Sequence, residues 1–198
     1  GAHLWTENYD RELKDIFATQ EDIATAIAGA LKVPLGLQPG EMLVSDRTKD
    51  LETYDQYLRA RALLRNRHID DALPALEKLL ARDPDFAPAW ATLSNAYRRS
   101  QTNDNAAGPV DDARRLYQAA VAKAEMAARR AIQLDPRNAG GYGALAAARS
   151  ESGDWMETED LYKRALALDA NEPDVLFSYG VNLARAGRLK ESLSIAER

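Results

Sequence analysis

The feature that most constrains this chain is an internal repeat. Ala131-Ile132-Gln133-Leu134-Asp135-Pro136 and Ala165-Leu166-Ala167-Leu168-Asp169-Ala170 stand 34 residues apart, and Leu79-Leu80-Ala81-Arg82-Asp83-Pro84 ends 52 residues before Pro136, which is 34 plus 18. A fixed beat of this kind marks helical units that cannot bury an apolar face alone and stack on their neighbours. The excess of 18 reads as an insertion. Its first part, Ser100-Gln101-Thr102-Asn103-Asp104-Asn105-Ala106-Ala107-Gly108-Pro109, is polar and rich in turn formers and is expected to be a loop. Its second part, 111–118, has a helical pattern and is expected to lengthen the helix behind it.

Each unit divides into two helices. Trp90, Leu93 and Tyr97 recur as Tyr142, Leu145 and Arg149, and again as Leu176, Tyr179 and Leu183. The second helices carry Ala72, Leu76, Leu79 and Leu80, or Ala124, Ala128 and Ala131. These spacings are helical and exclude strand alternation. Gly153-Asp154 and Gly187-Arg188 mark the turn between the two helices, where glycine ends a helix at low steric cost. Proline after Asp83 and Asp135 stops the second helix. Small residues at Ala124, Ala128, Ala131 and Ala165 let backbones approach, and Trp90, Tyr97, Tyr142 and Tyr162 fill the gaps. Removing an aromatic such as Trp90 from a fully buried site is expected to cost roughly 3–5 kcal/mol.

These residues resemble the tetratricopeptide repeat (TPR) family, whose pattern asks for a bulky residue, a Leu with a small residue, an aromatic, two small residues on the second helix and a closing proline over 34 positions. Trp90, Leu93, Ser94, Tyr97, Ala124, Ala128, Ala131 and Pro136 fit it. The resemblance covers 51–198, with units at about 51–86, 87–138 (insertion near 100–118), 139–172 and an incomplete 173–198. Arg59 stands where a Leu belongs, Thr158 where a small Ala belongs, and Ala170 where proline belongs. The last unit stops inside its second helix at Arg198, which suggests a piece of a longer protein. The resemblance implies an all-α superhelix of antiparallel helix pairs, behind a short N-terminal strand and helix appendage.

Residues 1–50 do not follow the beat. Leu4-Trp5-Thr6-Glu7-Asn8-Tyr9 reads as a short strand and 10–17 as a short helix. Thr19 reads as the N-cap of a helix with the apolar face Ile23, Ala26, Ile27, Ala30 and Leu31. Residues 32–49, with Pro34, Gly36, Pro39 and Gly40, read as a linker. The stretch 4–32, together with Leu51-Glu52-Thr53-Tyr54-Asp55-Gln56-Tyr57-Leu58-Arg59, is similar to a region of bacterial class III adenylate cyclases and winged-helix regulators. In those proteins a TolB-like α/β domain precedes the repeats, so 1–50 would be the remnant of that domain plus a linker.

Composition narrows the function. Lys and Arg number 26 against 31 Asp and Glu, a net charge of -5, which gives no general pull toward nucleic acid. No stretch is long and apolar enough to suggest a membrane span. The absence of cysteine removes disulfides, zinc–thiolate sites and cysteine nucleophiles, and fits a reducing, cytoplasmic compartment. His3 and His68 are the two histidines and are far apart in sequence, so no metal site is expected. Asp70-Asp71, Asp111-Asp112, and Glu157, Glu159 and Asp160 read as solvated first turns that complement the helix dipole. Ser94 has no base nearby, and Gly140-Gly141 with Gly143 lacks the strand of a dinucleotide fingerprint. No catalytic residue and no cofactor is expected.

A basic run, Arg59, Arg61, Arg65 and Arg67, is the exception to this blandness. Arg61 and Arg65 share one helix face, and they read either as a solvated surface or as a clamp for an acidic segment. By resemblance the inner groove is formed mainly by first helices, which makes Asn95, Arg98 and Arg99 candidates for partner contact, with Phe177 and Val181 on the same groove. Gly143, Ala144 and Ala147 leave the third unit's wall bare, with room for a bulky side chain or a partner helix. The expected function is a protein-interaction scaffold or sensory module of a bacterial signalling protein. Homo-oligomerisation is the alternative.

Overall fold

The computed structural model describes residues 51–100 and 110–198, together with Ile23. The expectations for the rest of 1–50 and for the loop at 101–109 lie outside the described residues. The chain divides into two compact units, Gly1–Tyr54 and Asp55–Arg198. The second carries the repeat.

The repeat unit is all-α, with no strand among the described residues. Its helices are α1 (Leu51–Arg65), α2 (Ile69–Arg82), α3 (Ala87–Ser100), α4 (Val110–Leu134), α5 (Ala139–Arg149), α6 (Trp155–Leu168), α7 (Pro173–Arg185) and α8 (Leu189–Ala196), with a 3-10 turn at Ser150–Ser152. They form antiparallel pairs, and odd-numbered first helices pack on one another, α3 on α5 and α5 on α7. The second part of the insertion is helical, as its pattern predicts, and makes α4 25 residues long.

Packing follows the small-and-large rule of the sequence. Ala124, Ala128, Ala131 and Ala165 are all 0% exposed. Around them Tyr142, Tyr162, Val175, Tyr179 and Leu183 form one core cluster. Tyr162 and Tyr179 stack with ring centroids 4.9 Å apart, which joins the third pair to the fourth. Trp90 departs from expectation. It is half-buried, and its indole N–H donates to the Pro84 carbonyl at 2.8 Å. An amphipathic ring keeps its polar edge near water in this way. The full cost of aromatic removal therefore falls on Tyr162, which is 1% exposed.

The pair-to-pair turns also differ from the simple proline reading. After α6, where Ala170 replaces proline, the Asn171 backbone N–H donates to Asp169 Oδ1 at 2.9 Å; after α4 the Arg137 N–H donates to Asp135 Oδ1 at 2.7 Å. The aspartate closes the turn at both sites, as an Asx turn does, and proline is dispensable. Within the pairs, Gly153 and Gly187 have φ of 84° and 77°, and Arg67, at the matching place in the first pair, has φ of 65°.

Glu159 is a correction. It reads from sequence as a solvated first-turn residue, yet Arg188 Nη1 donates to its Oε2 at 2.6 Å and Nη2 to its Oε1 at 3.2 Å. Lys163 Nζ lies 2.9 Å from Oε1. The hydrogen bonds from Arg188 and then Lys163 hold its carboxyl well below the ordinary 4.5, at about 2. One carboxylate thus ties α6 to the start of α8.

Candidate functional site

The layer of first helices is built from equivalent positions of successive pairs. Counting by 34, and by 52 across the insertion, Arg61, Asn95, Ala147 and Val181 share one position. Arg65, Arg99, Glu151 and Arg185 share another, and Tyr57, Ala91, Gly143 and Phe177 a third. The groove therefore changes character along the array while keeping one geometry.

Four of the residues singled out in the sequence meet in a pocket of about 250 Å³. It is lined by Arg61, Leu64 and Arg65 of α1, Thr92 and Arg99 of α3, and Asp174 and Phe177 of α7. Helices from the first, second and fourth pairs thus converge on one site. The third pair adds nothing to the lining because Gly143, Ala144 and Ala147 are short and buried. Their wall is not open to a partner. A methyl built on Gly143 would lie 2.5 Å from Val175 Cγ2, so α7 itself already fills that space.

Arg61 lies against an aromatic ring that is itself held in place by its neighbours. Tyr57 packs edge-to-face on Phe86 at 5.0 Å, and its hydroxyl lies 3.4 Å from Thr92 Oγ1. Thr92 in turn donates to the Pro88 carbonyl at 3.0 Å. The Arg61 guanidinium lies over the Tyr57 ring, 5.6 Å from its centroid. Burial raises the Tyr57 phenol pKa, Arg61 works against it, and the carboxylates of Glu172 and Asp174 push it up further. The pKa of Arg99 is lowered, first by burial and then by the like charge of Arg98, while Asp174 opposes the shift. Phe177 is 65% exposed, an uncovered aromatic beside a cationic wall.

The remaining singled-out residues lie elsewhere. Asn95 is buried and does not line the pocket. Val181, one turn along α7 from Phe177, is 39% exposed and outside the lining. Arg98 lies outside the pocket lining, and its charge works against the rise that burial imposes on the Tyr117 and Tyr162 phenols; its Nε is buried without a hydrogen-bond partner among the described residues. Sequence reasoning missed Leu64, Thr92 and Asp174. The signal for Thr92 and Asp174 was present, since each is three residues before a named groove residue on its own helix.

A second cavity, open and about 730 Å³, runs along α4 and is lined by Tyr117, Val121, Ala122 and Met126 with Arg114, Gln118, Glu125, Arg129 and Glu151 at its polar edges. Tyr117 donates to Glu151 Oε2 at 2.5 Å, and Arg185 pairs with the same carboxylate at 3.5 Å. Among the described residues, no group of three or more His, Asp or Glu is placed to hold a metal ion, and no helix is long and apolar enough to cross a membrane.

Comparison with known proteins agrees with the fold. Residues 57–113 match the tetratricopeptide repeat family. The chain is 40% identical over 97 residues to a protein of Rhizobium meliloti (strain 1021) named putative adenylate cyclase 3; the match spans 48% of this chain and 16% of that protein's length. A thermophilic TPR protein of Thermus thermophilus, TTC0263, superposes with a TM-score of 0.60 at 22% identity, over 91% of this chain and 82% of the other. The Sgt2 TPR domain of Aspergillus fumigatus gives 0.51 at 14% identity, over 72% and 83%. At such identities the likeness is one of fold.

Proposed function

We propose that the repeat unit, of which residues 57–113 match the tetratricopeptide repeat family, is a protein-interaction module that grips an acidic segment of another protein in the groove between α1, α3 and α7. The observation that carries this reading is the convergence of Arg61, Arg65 and Arg99 beside the exposed ring of Phe177 in one pocket. Guanidinium forks match carboxylates in two-point geometry, and an adjacent aromatic offers a dry anchor. The layer of first helices thereby supplies charge for specificity and one apolar contact for affinity. The match to a protein named as an adenylate cyclase supports a module of this kind within a larger signalling protein, as the part that recognises a partner.

The test is fluorescence anisotropy with a labelled peptide of glutamates flanking one leucine. Arg61→Glu and Arg99→Glu should each weaken binding at least about tenfold, equivalent to about 1.4 kcal/mol. Arg129→Glu, on α4 and outside this pocket, should leave it unchanged. Equal binding by all three variants and the native chain would remove the groove from consideration.

A second reading is self-association. Leu189 and Leu193, one turn apart on α8, are 67% and 61% exposed and form an apolar stripe. Sedimentation over a wide concentration range separates the readings, since a mass independent of concentration excludes this one.

A further inference from the structure

Three arginines share the groove pocket, and the pocket is small. Arg65 and Arg99 hold the same repeat position on α1 and α3, and Arg61 stands one turn before Arg65 on the same helix face. Elsewhere in the repeat unit arginines find carboxylates of their own chain, as Arg59 does with Asp55 at 2.8 Å and Arg188 with Glu159 at 2.6 Å. Arg61 and Arg65 do not: among the described residues neither forms an ion pair. Asp174 lines the same pocket and pairs with neither of them. The lining therefore carries three guanidinium groups and one carboxylate, a surplus of two positive charges within about 250 Å³. Arg61 is held over the Tyr57 ring, 5.6 Å from its centroid, and Phe177 adds an aromatic ring that is 65% exposed.

We propose that this pocket binds a phosphoryl group: the segment it recognises carries a phosphorylated serine or threonine beside an apolar residue. This deepens the groove reading above and rests on it. A phosphomonoester carries about −1.5 to −2 charge at neutral pH and three acceptor oxygens on one phosphorus. That charge matches the surplus of the lining, and guanidinium forks suit its oxygens. A carboxylate brings a single charge. Consecutive glutamates on an extended segment point to opposite faces, and the next one on the same face is about 7 Å away. A run of glutamates thus spreads its charge along the groove, whereas a phosphoryl group delivers it to one point. Phe177, beside the cationic wall, takes the apolar neighbour.

Fluorescence anisotropy with three labelled peptides tests this. They differ at one residue, a phosphoserine, a glutamate or a serine, followed in each case by leucine. The phosphopeptide should bind the native chain at least about tenfold more tightly than the glutamate peptide, and the serine peptide should bind most weakly. Arg61→Lys and Arg99→Lys keep the charge and lose the fork, so each should weaken phosphopeptide binding several-fold. Arg129→Lys, outside this pocket, should change nothing. Equal affinity for the phosphoserine and glutamate peptides overturns the phosphoryl site and leaves the acidic groove standing. Binding of none of the peptides removes both. Phosphopeptide binding that the lysine substitutions leave unaltered places the phosphate elsewhere and overturns the assignment. Inorganic phosphate that displaces the phosphopeptide at equal concentration would make the ligand a free anion instead of a segment, and overturns it too.

Discussion

Gly143 and Val175 sit so close that a single methyl on the glycine would come within 2.5 Å of the valine Cγ2 and 3.4 Å of its Cβ. Val175 is 1% exposed, held in the cluster with Tyr142, Tyr162 and Tyr179. It cannot swing clear without disturbing that cluster. The missing side chain on α5 therefore sets how near α7 approaches, and with it the shape of the groove. Gly143→Ala should destabilise the repeat unit by about 1–3 kcal/mol, the usual cost of overpacking. Urea unfolding with and without Val175→Ala should reveal a coupling between the two sites of at least about 0.5 kcal/mol.

Arg67 occupies a backbone conformation that its own repeat neighbours assign to glycine. Its φ of 65° matches Gly153 at 84° and Gly187 at 77°. A left-handed residue with a Cβ is strained, while glycine adopts it freely at some cost in unfolded-state entropy. Arg67→Gly should raise stability by about 0.5–1 kcal/mol, and Gly153→Ala should lower it by about 1 kcal/mol. Thermal melting of the two variants checks both signs.

Thr158 stands at a position the repeat gives to alanine. It is 0% exposed, and its Oγ1 has no hydrogen-bond partner among the described residues. A buried hydroxyl left unpaired costs roughly 1–3 kcal/mol. Thr158→Val keeps the branched shape and removes the hydroxyl, so it should stabilise the unit by about 1 kcal/mol. A decrease in the urea midpoint would contradict this account.

The Glu159–Arg188 tie predicts a pH dependence with a definite sign. The folded carboxyl titrates near 2 and the unfolded one near 4.5. A depressed carboxyl pKa contributes stability above the unfolded value and loses it as pH falls through the folded one. Stability should thus fall from about pH 4.5 toward pH 2, and Glu159→Gln should flatten that part of the profile. The substituted chain should also be less stable near neutrality, as Arg188 then loses a charged partner. Chemical denaturation at stepped pH measures both effects.

Much of the fold was legible in the sequence, because repeat spacing reports local helix geometry. The alanines at 124, 128, 131 and 165, the turn glycines at 153 and 187, and the helical end of the insertion all stand where spacing puts them. The site was only partly legible. Arg98 and Arg99 are adjacent in sequence, yet Arg99 lines the pocket and Arg98 does not. Spacing places a residue on a helix face but not within the neighbouring face it meets. The bare wall at Gly143, Ala144 and Ala147 looked like room for a visitor for the same reason, since the valine that fills it comes from another helix.

The sequence alone determined that the chain stacks helix pairs. A 34-residue beat of small and large apolar positions has few other ways to leave water, and that argument needs only the order of residues along each helix. Which pairs meet across the groove was decided in three dimensions. Arg61, Arg99 and Asp174 come from the first, second and fourth pairs, and the short side chains on α5 let α7 come close enough for them to share a pocket. That approach is set by contacts between helices, such as Gly143 with Val175, and no single stretch of sequence contains both sides of such a contact.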